Sequence, residues 1–131
     1  MDVFLAYEEW FKQSWYDYET AHAMFQSGRY IYTVFMCHLA IEKALKGLFQ
    51  KNYQKVPPKT HDLIYLLTIM KEKIPEDKIS FIQILNDAHI RTRYPDNLEN
   101  ILKEYTVDII QKILIETEEF LLWIKEKSNV F

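Results

Sequence analysis

Glycine is nearly absent from this chain, and so are the motifs that depend on it. Gly28 and Gly47 are its two glycines, and they stand alone, which excludes a Gly-rich phosphate loop. One cysteine, Cys37, excludes an internal disulfide framework and a cysteine zinc site, and it fits a reducing compartment. There is no His-Glu-x-x-His zinc pattern, no pair of Glu-x-x-His di-iron motifs and no serine nucleophile elbow. No metal ligand set is therefore expected. No apolar run approaches the roughly 18 residues that a membrane span needs. The opening Met1-Asp2-Val3, soon followed by Glu8 and Glu9, lacks the basic and apolar regions of a signal peptide. Neither sign of charge dominates, with 16 basic residues against 19 acidic ones and a net charge of -3. Any contact with nucleic acid must come from a local basic patch. The expected setting is a soluble cytoplasmic protein without membrane contact.

What the chain does have is apolar and aromatic mass. Hydrophobic residues make up 49% of its 131 residues and aromatics 15%, enough for one core in one domain spanning residues 1–131. No strand-like alternation, repeat or low-complexity linker interrupts it. Helical spacing of Trp10, Ser14, Asp17, Ala21 and Met24 predicts a first helix from about Tyr7 to Gln26, stopped by Gly28. A second is expected from Tyr30 to Asn52, with Ile31, Val34, Phe35, His38, Ile41, Leu45, Leu48 and Phe49 inward. Ala40, Ala44 and Gly47 form a neighbouring line of small residues that invites close helix approach. The Lys55-Val56-Pro57-Pro58-Lys59 run is a loop. Thr60 or Asp62 caps a third helix carrying Leu63, Leu66, Leu67 and Met70 and ending at Ile74-Pro75. A shorter fourth helix covers Asp77 to about His89, the segment from Arg91 to Asn97 breaks regular structure, and a fifth helix spans Leu102 to Lys127. That last helix is apolar on more than one face, so it is either central or in contact with a second subunit. The fold class is all-α: an antiparallel up-and-down four-helix bundle with an additional short helix.

Three segments carry the ionisable residues that such a bundle does not need. His38, Glu42 and Lys46 recur every four residues and so line up along the second helix. They form either an exposed ion pair beside a half-buried histidine, or a polar seam with Asp17 that could hold a phosphate or fix an arginine. His89-Ile90-Arg91-Thr92-Arg93-Tyr94-Pro95 packs two arginines, a histidine and a tyrosine into a basic, aromatic cluster. Arginine holds phosphate through paired hydrogen bonds, tyrosine stacks on a base, and histidine trades protons near neutral pH. A structural alternative pairs the arginines with Asp17, Glu42 or Asp96 and turns Tyr94 inward. In Pro58-Lys59-Thr60-His61-Asp62-Leu63, Thr60 and Asp62 read as caps, and His61 either steadies the loop or approaches a ligand.

Taken in order, Asp17-Tyr18, Gly28-Arg29-Tyr30, Cys37 through Lys46, Thr60-His61-Asp62-Leu63 and Arg93-Tyr94-Pro95 resemble the HEPN (higher eukaryotes and prokaryotes nucleotide-binding) domain family, from Trp10 to Trp123. The resemblance implies a helical bundle that pairs as a homodimer and works beside a minimal nucleotidyltransferase, in some cases as toxin and antitoxin. It also implies, in active members, a metal-independent ribonuclease whose arginine is followed a few residues later by a histidine, with a nearby tyrosine open to nucleotide attachment. Here neither Arg91 nor Arg93 has a following histidine, and His89 precedes both. The resulting expectation is a nucleotide- or RNA-binding protein, with ATP or GTP as the possible nucleotide and no required cofactor. Arg91, Arg93, Tyr94, Lys43 and Lys46 would contact the ligand, and Asp17, His38, Glu42 and His61 would form the supporting seam. The alternatives are a ribonuclease toxin using Arg93, with His89 as its acid or base, and a ligand-free dimeric scaffold.

Overall fold

A computed structural model describes residues 6–128, so Met1-Asp2-Val3 and the two extremes of the 1–131 domain lie outside the described residues. Six helices and no strand occur among the described residues: α1 (Tyr7–Gln26), α2 (Tyr30–Tyr53), α3 (Leu63–Thr68), α4 (Glu76–Arg93), α5 (Leu98–Glu104) and α6 (Val107–Ser128). Four are long and two short. The all-α expectation holds, but the short helices are not where the sequence pattern put them.

The α1–α2 corner follows from one residue. Gly28 takes a φ of 73°, a left-handed conformation that only glycine adopts without strain. It lets the Arg29 N–H donate to the Met24 carbonyl (2.8 Å) and the Gly28 N–H to Phe25 (3.0 Å), closing the end of α1. The two helices then run back against each other. α2 packs on α1, α3, α4 and α6, so it is the central helix. Its Val34, Ile41, Leu45 and Leu48 meet Phe11, Ile82, Leu85, Phe120, Leu121 and Ile124 in one core.

The small-residue line of α2 does what its spacing implies. A Cβ on Gly47 would sit 2.8 Å from the Phe11 ring and 2.9 Å from Trp10 Cβ. We predict that Gly47→Val lowers stability by about 1–3 kcal/mol through overpacking, read as a lower urea midpoint with an unchanged m-value. Ser14 donates its hydroxyl proton to the Ala40 carbonyl (2.6 Å) across the same contact.

Three boundaries differ from expectation. α3 ends at Thr68 rather than Ile74: Thr68 turns its hydroxyl back onto the Tyr65 carbonyl, and the Tyr53 hydroxyl accepts the Lys71 N–H at 2.7 Å. α4 continues through Arg93, because Pro95 restricts only the residue before it, and Tyr94 is where the helix stops. The expected helix from Leu102 to Lys127 is two helices. Asn97 caps α5 by accepting the Asn100 N–H, and Thr106 starts α6, with its carbonyl taking the Ile110 N–H and its hydroxyl 3.5 Å from the Ile109 nitrogen. Thr106 followed by Asp108 is a helix-start signal inside an otherwise periodic stretch. α6 itself is central on most of its apolar surface. Ile110, Ile113, Leu114, Phe120, Leu121 and Ile124 are buried within the chain, leaving Ile109, Ile115 and Leu122 exposed. No described helix is long and apolar enough to cross a membrane.

Candidate functional site

The polar line of α2 is buried, not exposed. His38 is 2% and Glu42 4% accessible, and Lys46 is almost as enclosed. Burying such groups without partners is costly, and Glu42 partners two cationic or polar side chains. One carboxylate oxygen accepts from Lys46 Nζ at 3.1 Å, and the other accepts from His61 Nδ1 at 2.9 Å. His61 reaches it because Asp62 caps α3, accepting the Ile64 and Tyr65 N–H groups, which pins the loop end against α2.

Opposite this line stands the last turn of α4. His89 and Arg93 are four residues apart and share a face. The His89 ring stacks on His38 with centroids 3.8 Å apart and planes 18° off parallel, and Phe35 lies against His89 at 5.8 Å. Phe35, expected inward, is instead 42% exposed at the mouth. A cleft of about 110 Å³ results, lined by Phe35, His38, Leu39, Glu42, His61, His89 and Arg93.

Burial dominates its electrostatics. Desolvation, with help from His89 nearby, pushes the His38 pKa down to about 3. His89 is lowered by burial and then by the positive charge of Arg93. Both imidazoles are thus neutral at physiological pH. His38 hydrogen-bonds Asn86, and its Nε2 is buried without a hydrogen-bond partner. Arg93 is exposed. Among the described residues it forms no ion pair, and its guanidinium lies 5.4 Å from the Tyr94 ring centre. The cleft therefore offers one cation without an ion-pair partner among the described residues, beside two neutral imidazoles that can accept or donate a hydrogen bond.

The remaining candidates lie elsewhere. Asp17 belongs to a separate pair with Lys43 (2.9 Å) on the α1 side of α2, so it does not join the Glu42 line. The ammonium groups of Lys43 and Lys46 are held by Asp17 and Glu42, and neither residue lines the cleft. Arg91 points outward and pairs with Glu104, a partner not anticipated from the sequence. Tyr94 is 80% exposed rather than packed inward. Among the described residues, no three His, Cys, Asp or Glu side chains are grouped so as to hold a metal ion.

Against the cleft lies a larger cavity of about 520 Å³ between the start of α2 and the α4–α5 corner. It shares Phe35, His89 and Arg93 with the cleft and adds Arg29, Tyr30, Tyr32, Tyr94, Leu98 and Leu102. Sequence reasoning missed Arg29, Tyr32 and Phe35 as site residues. The signal was there, as an arginine and three aromatics within seven residues after Gly28.

A family model described as the HEPN domain matches residues 7–127. The chain belongs to the HEPN family. Two solved structures share the fold of this HEPN protein. TT1696 from Thermus thermophilus is 26% identical with a TM-score of 0.83, over 95% of this chain and 99% of that one. ST0689, described as an archaeal HEPN homologue, is 23% identical with a TM-score of 0.77, over the same shares. No curated protein matches the HEPN chain.

Proposed function

We propose that this HEPN protein binds a nucleotide or RNA through the α2–α4 cleft. In this reading it acts in the cytoplasm as a homodimer, beside a minimal nucleotidyltransferase in a toxin–antitoxin-type pair. The observation that carries the binding reading is Arg93: an arginine without an ion-pair partner among the described residues, at the mouth of a cleft with three histidines. A guanidinium so placed can take two phosphate oxygens at once. The contrast with Arg91, already tied to Glu104, makes Arg93 the residue to test.

Arg93→Ala should reduce binding of ATP, GTP and RNA by tenfold or more. Its thermal midpoint should stay within about 2 °C of wild type, because Arg93 is exposed. Calorimetric titration with each ligand checks this, and unchanged affinity for all three would sink the reading.

A metal-independent ribonuclease is the second reading, favoured by His89. It is neutral, shares the cleft with Arg93, and so meets the first need of a general base. The 2′-hydroxyl of the substrate would be the nucleophile, and Arg93 would stabilise charge developing on phosphorus. Cleavage of total RNA in EDTA by wild type, but not by Arg93→Ala, selects this reading over binding alone.

A further inference from the structure

We propose that the 520 Å³ cavity is the subsite for an unstacked nucleobase, so that the ligand enters as a single strand or a free nucleotide and never as a duplex. This rests on the reading of the adjoining cleft as a phosphate site.

Three observations combine. First, the cavity and the cleft are contiguous: Phe35, His89 and Arg93 line both, and Arg93 stands at the boundary. A ligand filling both must therefore join an anion to a bulky neutral group across that boundary. Second, the cavity walls are rich in apolar and aromatic side chains that the fold leaves exposed. Tyr32 is 61% accessible, and Phe35, Tyr94, Leu98 and Leu102 are also exposed. Solvated aromatics gathered around one hollow offer planar faces to a flat ring, and stacking accepts any base because every base has a π-face. Third, the polar groups at the rim are cationic. Arg29 and Arg93 both line the cavity, and Arg93 already lies over the Tyr94 ring. An aliphatic ligand would use the walls and waste both guanidinium groups. An inorganic anion would use the guanidinium groups and leave the walls wet. A base bearing a phosphate uses both. Bases in a duplex are stacked on each other and cannot reach the hollow.

The test uses the whole chain and four probes: inorganic phosphate, AMP, a short single-stranded oligoadenylate, and the same strand annealed to oligouridylate. NMR titration follows wild type, Tyr32→Ala and Arg93→Ala. Both side chains are exposed, and circular dichroism verifies that the variants fold. Wild type is expected to bind AMP at least tenfold more tightly than phosphate and to prefer the single strand over the duplex. Tyr32→Ala should lose that surplus, about tenfold, while keeping its phosphate affinity. Arg93→Ala should weaken both. Phosphate and AMP bound equally well, AMP affinity unchanged in Tyr32→Ala, or duplex bound as well as single strand would each overturn the base subsite and leave the phosphate cleft standing. No binding of phosphate, AMP or strand would overturn the cleft reading itself, and this inference with it. Whichever of AMP and oligoadenylate binds more tightly identifies the source of the base, and either result supports the subsite.

Discussion

Glu42→Ala is expected to cost about 3–5 kcal/mol of folding stability, more than any other single change in the cleft. Glu42 is buried and holds two partners, Lys46 at 3.1 Å and His61 at 2.9 Å. Removing the carboxylate leaves the enclosed Lys46 ammonium uncompensated, and that is the larger part of the loss. The side chain cannot easily escape, since it lies along α2 with its ammonium 5.9 Å from the centre of the Trp10 ring. The check is urea denaturation of Glu42→Ala beside a double variant without either charge. Glu42→Leu combined with Lys46→Met removes both charges at similar volume and should recover most of the stability lost in Glu42→Ala. A double variant as unstable as the single one would mean that shape, not charge, sets the cost. The recovered protein would also lack the anchor for His61. A fall in nucleotide affinity at restored stability would therefore separate the stabilising role of Glu42 from its role in shaping the cleft.

The second large effect is acid sensitivity centred on His38. Unfolded, its imidazole takes a proton near pH 6.5; folded, it resists to about pH 3. Between those values the unfolded chain holds more protons, so stability falls as pH falls. Each unit of pH is worth up to about 1.4 kcal/mol, which makes the loss from His38 on the order of 3 kcal/mol by about pH 4. His89, also lowered, adds to it in the same direction. Carboxylates titrate in that range too, so the informative quantity is a difference. His38→Phe preserves a ring for stacking and removes the proton site. Its stability measured by urea titration at pH 7, 6, 5 and 4 should fall less steeply than that of wild type. Parallel curves would show that the His38 ring carries no such penalty.

Much of this architecture is legible in the residues, and what is not has identifiable causes. The alignment of His38, Glu42 and Lys46 on one line of α2 follows from their four-residue spacing, and the close approach at Gly47 from its line of small residues, but the spacing left open whether the polar line was exposed or buried. The start of α3 is readable from Asp62. The convergence of His61, His89 and Arg93 on that line is not, because they come from different segments brought together by packing. The destination of Asp17 was equally hidden. It and Glu42 both pair with lysines of α2, and only the rotation of α1 about its axis decides which. The break at Thr106 was concealed by strong periodicity on both sides of it. Phe35 shares the apolar spacing of the buried residues of α2, and only its place beside His89 at the mouth of the cleft sets it apart.

The central position of α2 has a consequence for how the two sides of the cleft respond to a visitor. His38 and Glu42 ride on a helix packed against four others, so their side of the cleft is the more firmly held. Arg93 and Tyr94 occupy the terminal turn of α4, where carbonyls have lost their helical partners and the side chains stand in water. One side is an anvil and the other a latch. Whatever the cleft receives is measured against the anvil, and adjustment to its size falls to a single turn of α4.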